Sequence, residues 1–436
     1  MATPTLLRLT LAALLAVSAL GGCSEDRAAD DDDATTTTVS DSIDACADDL
    51  FACAQETMLA DVLPDEPTEA EGEPIVIGMI NQENTPVASF PELSAAVQAA
   101  VDFVNAELGG VGGRPLQLDV CNTEFSPEGS TACAQGFVEA GAPAVVGGID
   151  VWGTAIDTLE ENGVPYVGGI PASTPAVTSP LSYQFSGGVY GPTIAFAHHA
   201  AEAGATTVAL AYPEYDPATE AAAAGEAVLE REGVEQVQLI PYPVTATDLT
   251  SPLQAAAAID PDALIMLAAD TGCEGTFDGI ETVGITAQLY LVGACATPSI
   301  LEEAGPAKTE GTIFNVEGEL EGGDPDRDLY FAVSDAYGEG FDPIGAGTVS
   351  FRSFMNLYRI MVGLDEADLT PAGISEALGA QVDAPSFMGH PSTCDREQLD
   401  GLPALCSPQQ ILAEMTGGEL IQIGDWVDVG AIYGAG

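Results

Sequence analysis

From Ile75 onward, short and wholly apolar runs alternate with longer amphipathic stretches, and the whole rhythm occurs twice along the 436 residues. A strand that reads as an unbroken apolar run is buried on both faces. The helical-period stretches between such strands supply the layers that bury it. The pattern predicts an α/β fold with two parallel sheets, each wrapped by crossover helices. With 46% hydrophobic residues the chain has material for two separate cores, which excludes a single small domain.

In the first half, Ile75 to Ile80 reads as a buried strand. Leu93, Ala96, Val97, Ala100, Val101, Val104 and Leu108 then recur at helical spacing until Gly109 to Gly113 stops the helix. Strands follow at Leu116 to Cys121, Ala144 to Gly147 and Tyr166 to Gly168, with helices near Ser130 to Ala140 and Thr154 to Asn162. The second half repeats the scheme. Its strands are Thr207 to Tyr212, Gln236 to Ile240, Ala263 to Ala268 and Leu289 to Val292, and its helices lie near Ala218 to Glu232, Ser251 to Ala258 and Thr276 to Val283. Laid side by side, Val145 to Asp150 and Ile265 to Asp270 each end a strand in aspartate, and each is followed by a helix, a glycine turn (Gly163 or Gly284) and another apolar strand. This is an internal duplication of architecture, two Rossmann-like lobes. Ligands of open parallel sheets sit beyond the carboxyl ends of the strands, so two such lobes facing each other share one cleft.

The charge balance narrows the partners. Against 68 Asp and Glu stand nine basic residues, giving a formal net charge of −59. Phosphate recognition needs clustered cations, so nucleic acid and anionic lipid surfaces are excluded as partners. Such acidity attracts cations, or it is simply a solvated surface suited to a salty medium.

At the amino end, Leu6 to Leu20 is apolar except for Arg8, Thr10 and Ser18. That is too short to span a bilayer and fits a signal-peptide core. It runs into Leu20-Gly21-Gly22-Cys23, which resembles the bacterial lipobox and implies removal of residues 1–22, with Cys23 lipidated. Residues 23–73, with acidic and threonine runs and many Pro and Glu, are expected to form an acidic tether, with a small clip where Cys46 and Cys53 lie close. Besides Cys23 there are eight cysteines, an even number for a chain leaving the cytoplasm. Sequence neighbours suggest Cys46 with Cys53, Cys121 with Cys133, Cys273 with Cys295 and Cys394 with Cys406. No C-x₂-C knuckle occurs and His198 and His199 lie far from the cysteines, so no metal and no cofactor is expected.

The stretch Asn105 to Leu116, reading NAELGGVGGRPL, resembles the first helix-to-strand junction of the branched-chain amino-acid (Leu/Ile/Val) binding proteins of ABC transporters. The order of Ile75, Asn122 to Glu124, Val145 to Gly148, Gly163-Val164-Pro165 and Ala172 to Pro175 strengthens the resemblance over about Pro74 to Asp428. It implies a type I periplasmic-binding fold, with lobes joined by a three-segment hinge near Phe185 to Gly188, Gly311 to Glu317 and Ala384 to Pro391. On that reading residues 74–187 and 316–388 form lobe 1, and residues 188–315 and 389–432 form lobe 2. The family also implies a small-molecule ligand, a transporter permease as partner, a membrane reached through the lipid anchor, and a monomer.

By position, the resemblance puts ligand contacts at Phe90, at Ile149, Asp150, Val151 and Trp152, and at Ala172 and Ser173. Tyr215, Asp270 with Thr271, and the Cys295 region supply them from the second lobe. An amino acid needs donors for its carboxylate and an acid for its ammonium. Here Ile149 and Asp150 stand where the family offers a hydroxyl, and Cys295 stands where it offers an acid. The ammonium partner then falls to Asp270, Asp150 or Glu214, and facing carboxylates equally suit a cationic, amide or polyol ligand.

Plainer roles stand beside these. Asp150 and Asp270 each precede a helix and suit N-caps. Trp152 and Phe90 can pack instead of stacking on a ligand, Tyr215 sits in a proline-flanked loop, and the two adjacent histidines read as structural. No nucleophile elbow, P-loop, H-E-x-x-H or dinucleotide fingerprint is present, so an enzyme is not expected. A surface sensor signalling through a partner is the alternative of a different class.

Overall fold

The computed structural model describes residues 46–85, 89–268, 271–318, 320, 323–338, 340–341 and 343–434. The expected signal peptide, Cys23 and Asp270 lie outside these residues.

The first sheet is wholly parallel, with β1 (Ile75–Asn81), β2 (Leu116–Asn122), β3 (Val145–Gly147), β4 (Tyr166–Val167) and β5 (Ser182–Tyr183) in the order β2-β1-β3-β4-β5. Its register runs Ile75 against Leu116 and Gly78 against Val145. Side chains alternate between two cores, as a pleat with period two demands. Ile77, Met79, Val146 and Val167 enter the larger core, whereas Ile80, Val145 and Tyr166 enter a smaller one. The Pro91–Glu107, Pro325–Tyr337 and Gly347–Val362 helices cover the first face, and the Pro127–Ala140 and Thr154–Glu161 helices cover the second. Gly78 is required there: a Cβ would come within 2.7 Å of the Phe137 ring.

The second sheet is mixed. It contains β6 (Thr207–Pro213), β7 (Gln236–Tyr242), β8 (Ala263–Met266), β9 (Gln288–Leu291), β10 (Ile313–Val316), β13 (Gln410–Thr416) and β14 (Glu419–Val427), in the order β14-β13-β10-β9-β8-β6-β7. Val208, Leu210 and Ile265 face the Tyr190–Glu202 and Asp216–Arg231 helices, whereas Ala209, Leu264 and Met266 face the Thr250–Ala257 and Thr271–Val283 helices. The expected all-parallel sheet is corrected here, because β13 and β14 run antiparallel to β10 and to each other. Their turn is Gly417-Gly418, both at positive φ (63° and 91°), as the tightest hairpins demand. A separate ribbon pairs β11 (Ala384–Ser386) with β12 (Gly389–Ser392).

The chain passes between the sheets three times. It leaves β5 through Gln184 to Val189, leaves β10 at Glu317, and returns to β13 after the β11–β12 ribbon. Two of the expected crossings shift. Ile313–Val316 is a full strand of the second sheet, so the chain departs only at Glu317. The last passage includes the loop closed by Cys394 and Cys406, which stays beside β5: Gln184 exchanges backbone hydrogen bonds with Ala404 and Cys406, and the Arg396 guanidinium sits 4.2 Å over the Tyr183 ring.

All four expected cysteine pairs are joined. The expectation of a tether through residue 73 does not describe the chain from Cys46 on. A short helix (Leu50–Ala54), capped by the Asp49 side chain, buries Phe51 and Ala54, and Leu59 follows them into the first core. Thr68 and Ala70 then donate backbone bonds to Glu107 and Asn105. A few large apolar side chains and one covalent loop offset the ordering entropy of a segment whose average composition is polar.

Candidate functional site

Each sheet has one place where successive connections diverge. In the first sheet β1 lies between β2 and β3, so the loops after β1 and β3 part over a crevice, and in the second β6 lies between β7 and β8 with the same result. Phe90 and Asp150 to Trp152 belong to the first pair of loops, and Tyr215 and Thr271 stand at the second.

In the first lobe one side chain ties the two loops together. Asn81, at the tip of β1, donates from Nδ2 to the Phe90 carbonyl (2.8 Å) and to Glu83 Oε1 (2.9 Å), and its Oδ1 accepts from the Ile149 N–H (3.2 Å). Glu83 is braced in turn by Ser94 and by Asn122, which both accepts from its N–H and donates to its carbonyl. Phe90, expected as a wall of the site, is 8% exposed and packed in the first core with Ala172, with Val151 against its edge.

Asp150 is 2% exposed and already engaged: Ser130 Oγ donates to Oδ2 (2.6 Å) and the Trp152 N–H donates to Oδ1 (3.2 Å). Ser130 Oγ also accepts from the Ala155 N–H (2.8 Å), so the pair relays a cap to the Thr154–Glu161 helix. Burial raises the Asp150 carboxyl from its ordinary value, and these hydrogen bonds pull against the shift. The carboxylate shapes the loop.

Gly153 follows in the left-handed conformation (φ 69°), and a Cβ there would lie 2.6 Å from Ser173 Oγ. The loops after β3 and β4 therefore touch at this point. Ser173 is 3% exposed, and its hydroxyl has no protein partner among the described residues. A buried hydroxyl without a partner costs about 1–3 kcal/mol, which a ligand atom would recover.

Trp152 is 44% exposed, its ring tilted at 5.9 Å from Phe125. Phe125 and its neighbour Glu124 both hold φ at 52°, a region that side-chain-bearing residues seldom adopt. Phe125 escaped the sequence reading, although an aromatic three residues past the end of β2 at Asn122 was the available signal.

In the second lobe Tyr215 is half-buried against the second core, and burial pushes its phenol up to about 12. Asp270 and the side chain of Thr271 lie outside the described residues. Glu214 is exposed. Cys295 is buried in its disulfide. The histidines take structural positions: His199 shares a hydrogen bond with the Tyr290 hydroxyl (3.0 Å), and His198 pairs with Glu232 (2.9 Å). Among the described residues no cluster of His, Cys, Asp and Glu is arranged to hold a metal ion. No helix among them is long and apolar enough to cross a membrane.

A family model for periplasmic binding proteins matches residues 74–390. No curated protein is similar enough in sequence to match. Among solved structures, a solute-binding protein of an ABC transporter from Rhodopseudomonas palustris, in complex with 4-hydroxybenzoate, is 19% identical with a TM-score of 0.70, covering 83% of this chain and 99% of its own. The branched-chain amino acid transporter substrate-binding protein LivJ from Streptococcus pneumoniae, in complex with isoleucine, is 16% identical with a TM-score of 0.64, covering 80% and 99%. A leucine-binding protein from Thermotoga maritima is 16% identical with a TM-score of 0.65, covering 80% and 98%. At such identities the structures speak for the fold, a type I periplasmic-binding architecture. Together with a family model that spans most of the residues, they lead to one assignment: this chain belongs to the periplasmic binding protein family.

Proposed function

We propose that the protein is an extracytoplasmic, lipid-anchored solute-binding protein that captures a small carboxylate-bearing molecule between its lobes and presents it to an ABC importer. The observation that carries this reading is the buried, unpartnered hydroxyl of Ser173, set against the Gly153 turn beside the exposed Trp152 ring. The hydroxyl suits a carboxylate oxygen, and the Trp152–Phe125 pair offers an aromatic face for the ligand body. An amino acid and an aromatic acid both fit this chemistry, and similar proteins hold isoleucine and 4-hydroxybenzoate.

The lobes in this reading are the two sheets with their covering helices, joined by the three passages, and their strand tips face one another. Ligand bridges both sets of loops and shifts the hinge equilibrium toward closure, because only the closed form contacts it from two sides. No bond is made or broken, and the solute is released unchanged. Since the Asp150 carboxylate is occupied by its own loop, an ammonium group would be met by Asp270 or Glu214 from the second lobe. Cys23 carries the lipid, and the protein works as a monomer.

Calorimetry with isoleucine, 4-hydroxybenzoate, a polyamine and a polyol tests the ligand class. Binding of either carboxylate at micromolar affinity, weakened about 5- to 150-fold in Ser173→Ala, is the expected outcome. Tight binding of the polyamine alone, or carboxylate affinity unmoved in both Ser173→Ala and Trp152→Ala, would overturn it.

A further inference from the structure

Arg352 is 3% exposed, yet it does not serve the helix that carries it. All its donors are spent on the three passages between the sheets. Nε donates to the Phe387 carbonyl (3.1 Å), Nη1 to the Phe185 carbonyl (3.1 Å) and Glu317 Oε2 (3.0 Å), and Nη2 to the carbonyls of Glu317 (2.7 Å) and Met388 (3.0 Å). Five donors meet five acceptors, the full capacity of a guanidinium. Phe185, Glu317 and the Phe387–Met388 pair lie on three different passages.

Glu317 extends the node toward the second sheet. Its Oε1 accepts from Ser186 Oγ (2.8 Å), the Gly187 N–H (3.0 Å) and Gln410 Nε2 (3.3 Å). Gln410 opens β13 and accepts from Asn315 of β10 (2.7 Å). One ion pair thus touches the start of β13 and every connecting segment.

We propose that the Arg352–Glu317 pair is the pivot of lobe movement, a positioning device that gathers the three passages at one point so that the lobes rotate about it without sliding. Burying two charges is costly before they pair, and an apolar cluster of similar volume would hold the segments as firmly. What apolar packing does not supply is direction. Carbonyl oxygens accept over a broad range of angles, so four of the five bonds tolerate a tilt of one segment against another, while a lateral shift breaks them. The proposal rests on the two-lobe reading above in requiring that the lobes move, and its test is read without ligand.

Spectroscopic labels carried by noncanonical residues at the exposed positions 160 and 230 report the distance between the first and second lobes. In ligand-free protein, Arg352→Lys and Glu317→Gln should each broaden that distance distribution at least twofold. Ile374→Val, a core change outside the hydrogen-bonded node, should leave it as in the wild type. An unbroadened distribution in either hinge variant, or equal broadening in Ile374→Val, would overturn the pivot. Should neither hinge variant fold, wild-type hydrogen exchange decides: the Gly187 amide, held by the Glu317 carboxylate, should exchange at least a hundredfold more slowly than the exposed amides around Asp400, and exchange at the loop rate would refute the proposal.

Discussion

Asp326 shows how one buried carboxyl makes stability depend on pH. It accepts from the Met58 N–H (3.0 Å) and the Met388 N–H (3.0 Å), joining the N-terminal segment to the third passage. Burial pushes its pKa from 3.8 up to about 6, more than these bonds and nearby Arg352 pull it down. Folded protein therefore holds this proton between about pH 4 and 6, where the unfolded chain has released it. The stability this group contributes is full below about pH 4 and is lost as the pH rises through 6, by at most about 3 kcal/mol. Asp150 shifts in the same direction, whereas the exposed Asp248 and Asp262 shift oppositely and are screened by water. The melting temperature should rise on going from pH 7.5 to 5, and Asp326→Asn should flatten part of that slope. A slope identical in the variant would remove Asp326 as its source. At this scale the sequence was a partial guide. Ser173 and Trp152 occupy two strand-tip loops, but the burial of Phe90 and the internal engagement of Asp150 depend on neighbours such as Ser130, 20 residues away, that no local pattern marks.

Elements buried on both faces were the most legible, because a continuous apolar run such as Thr207 to Tyr212 leaves little choice of structure. The β13–β14 hairpin was missed. Its outer strand is half-exposed and alternates, so its clearest mark was the Gly417-Gly418 turn. The cysteine pairs were readable for a topological reason: a right-handed crossover returns the next helix to the strand it left, which brings Cys133 back to Cys121 at the end of β2. The segment from Cys46 escaped because Phe51 and Leu59 are few among acidic neighbours. Replacing Cys46 and Cys53 together by Ser should cost about 2 kcal/mol of local stability in the chain-entropy view. Hydrogen exchange over residues 46–58 should quicken while the main melting transition barely moves. A collapse of that transition would mean the segment is needed to fold the first lobe.

For the whole molecule, a formal charge of −59 works against compactness, since like charges repel less when the chain expands. Raising sodium chloride from 0.05 to 1 M should raise the melting temperature by several degrees, and a flat or falling response would show that the carboxylates are too far apart to matter. The two-lobe plan was visible from periodicity alone. The exact places where the chain changes sheets were not, because Ile313–Val316 and the Cys394–Cys406 loop are short pieces whose allegiance is set by distant partners such as Leu412 and Gln184.

The fastening of residues 46–70 to one half only has a mechanical meaning. Any pull transmitted along the chain from its amino end reaches the half that holds Phe51, Leu59 and the Asp326 contact before it reaches the other. Under the anchoring and hinge movement proposed above, that half would stand still and the remaining half would do the travelling, like a door on a fixed jamb.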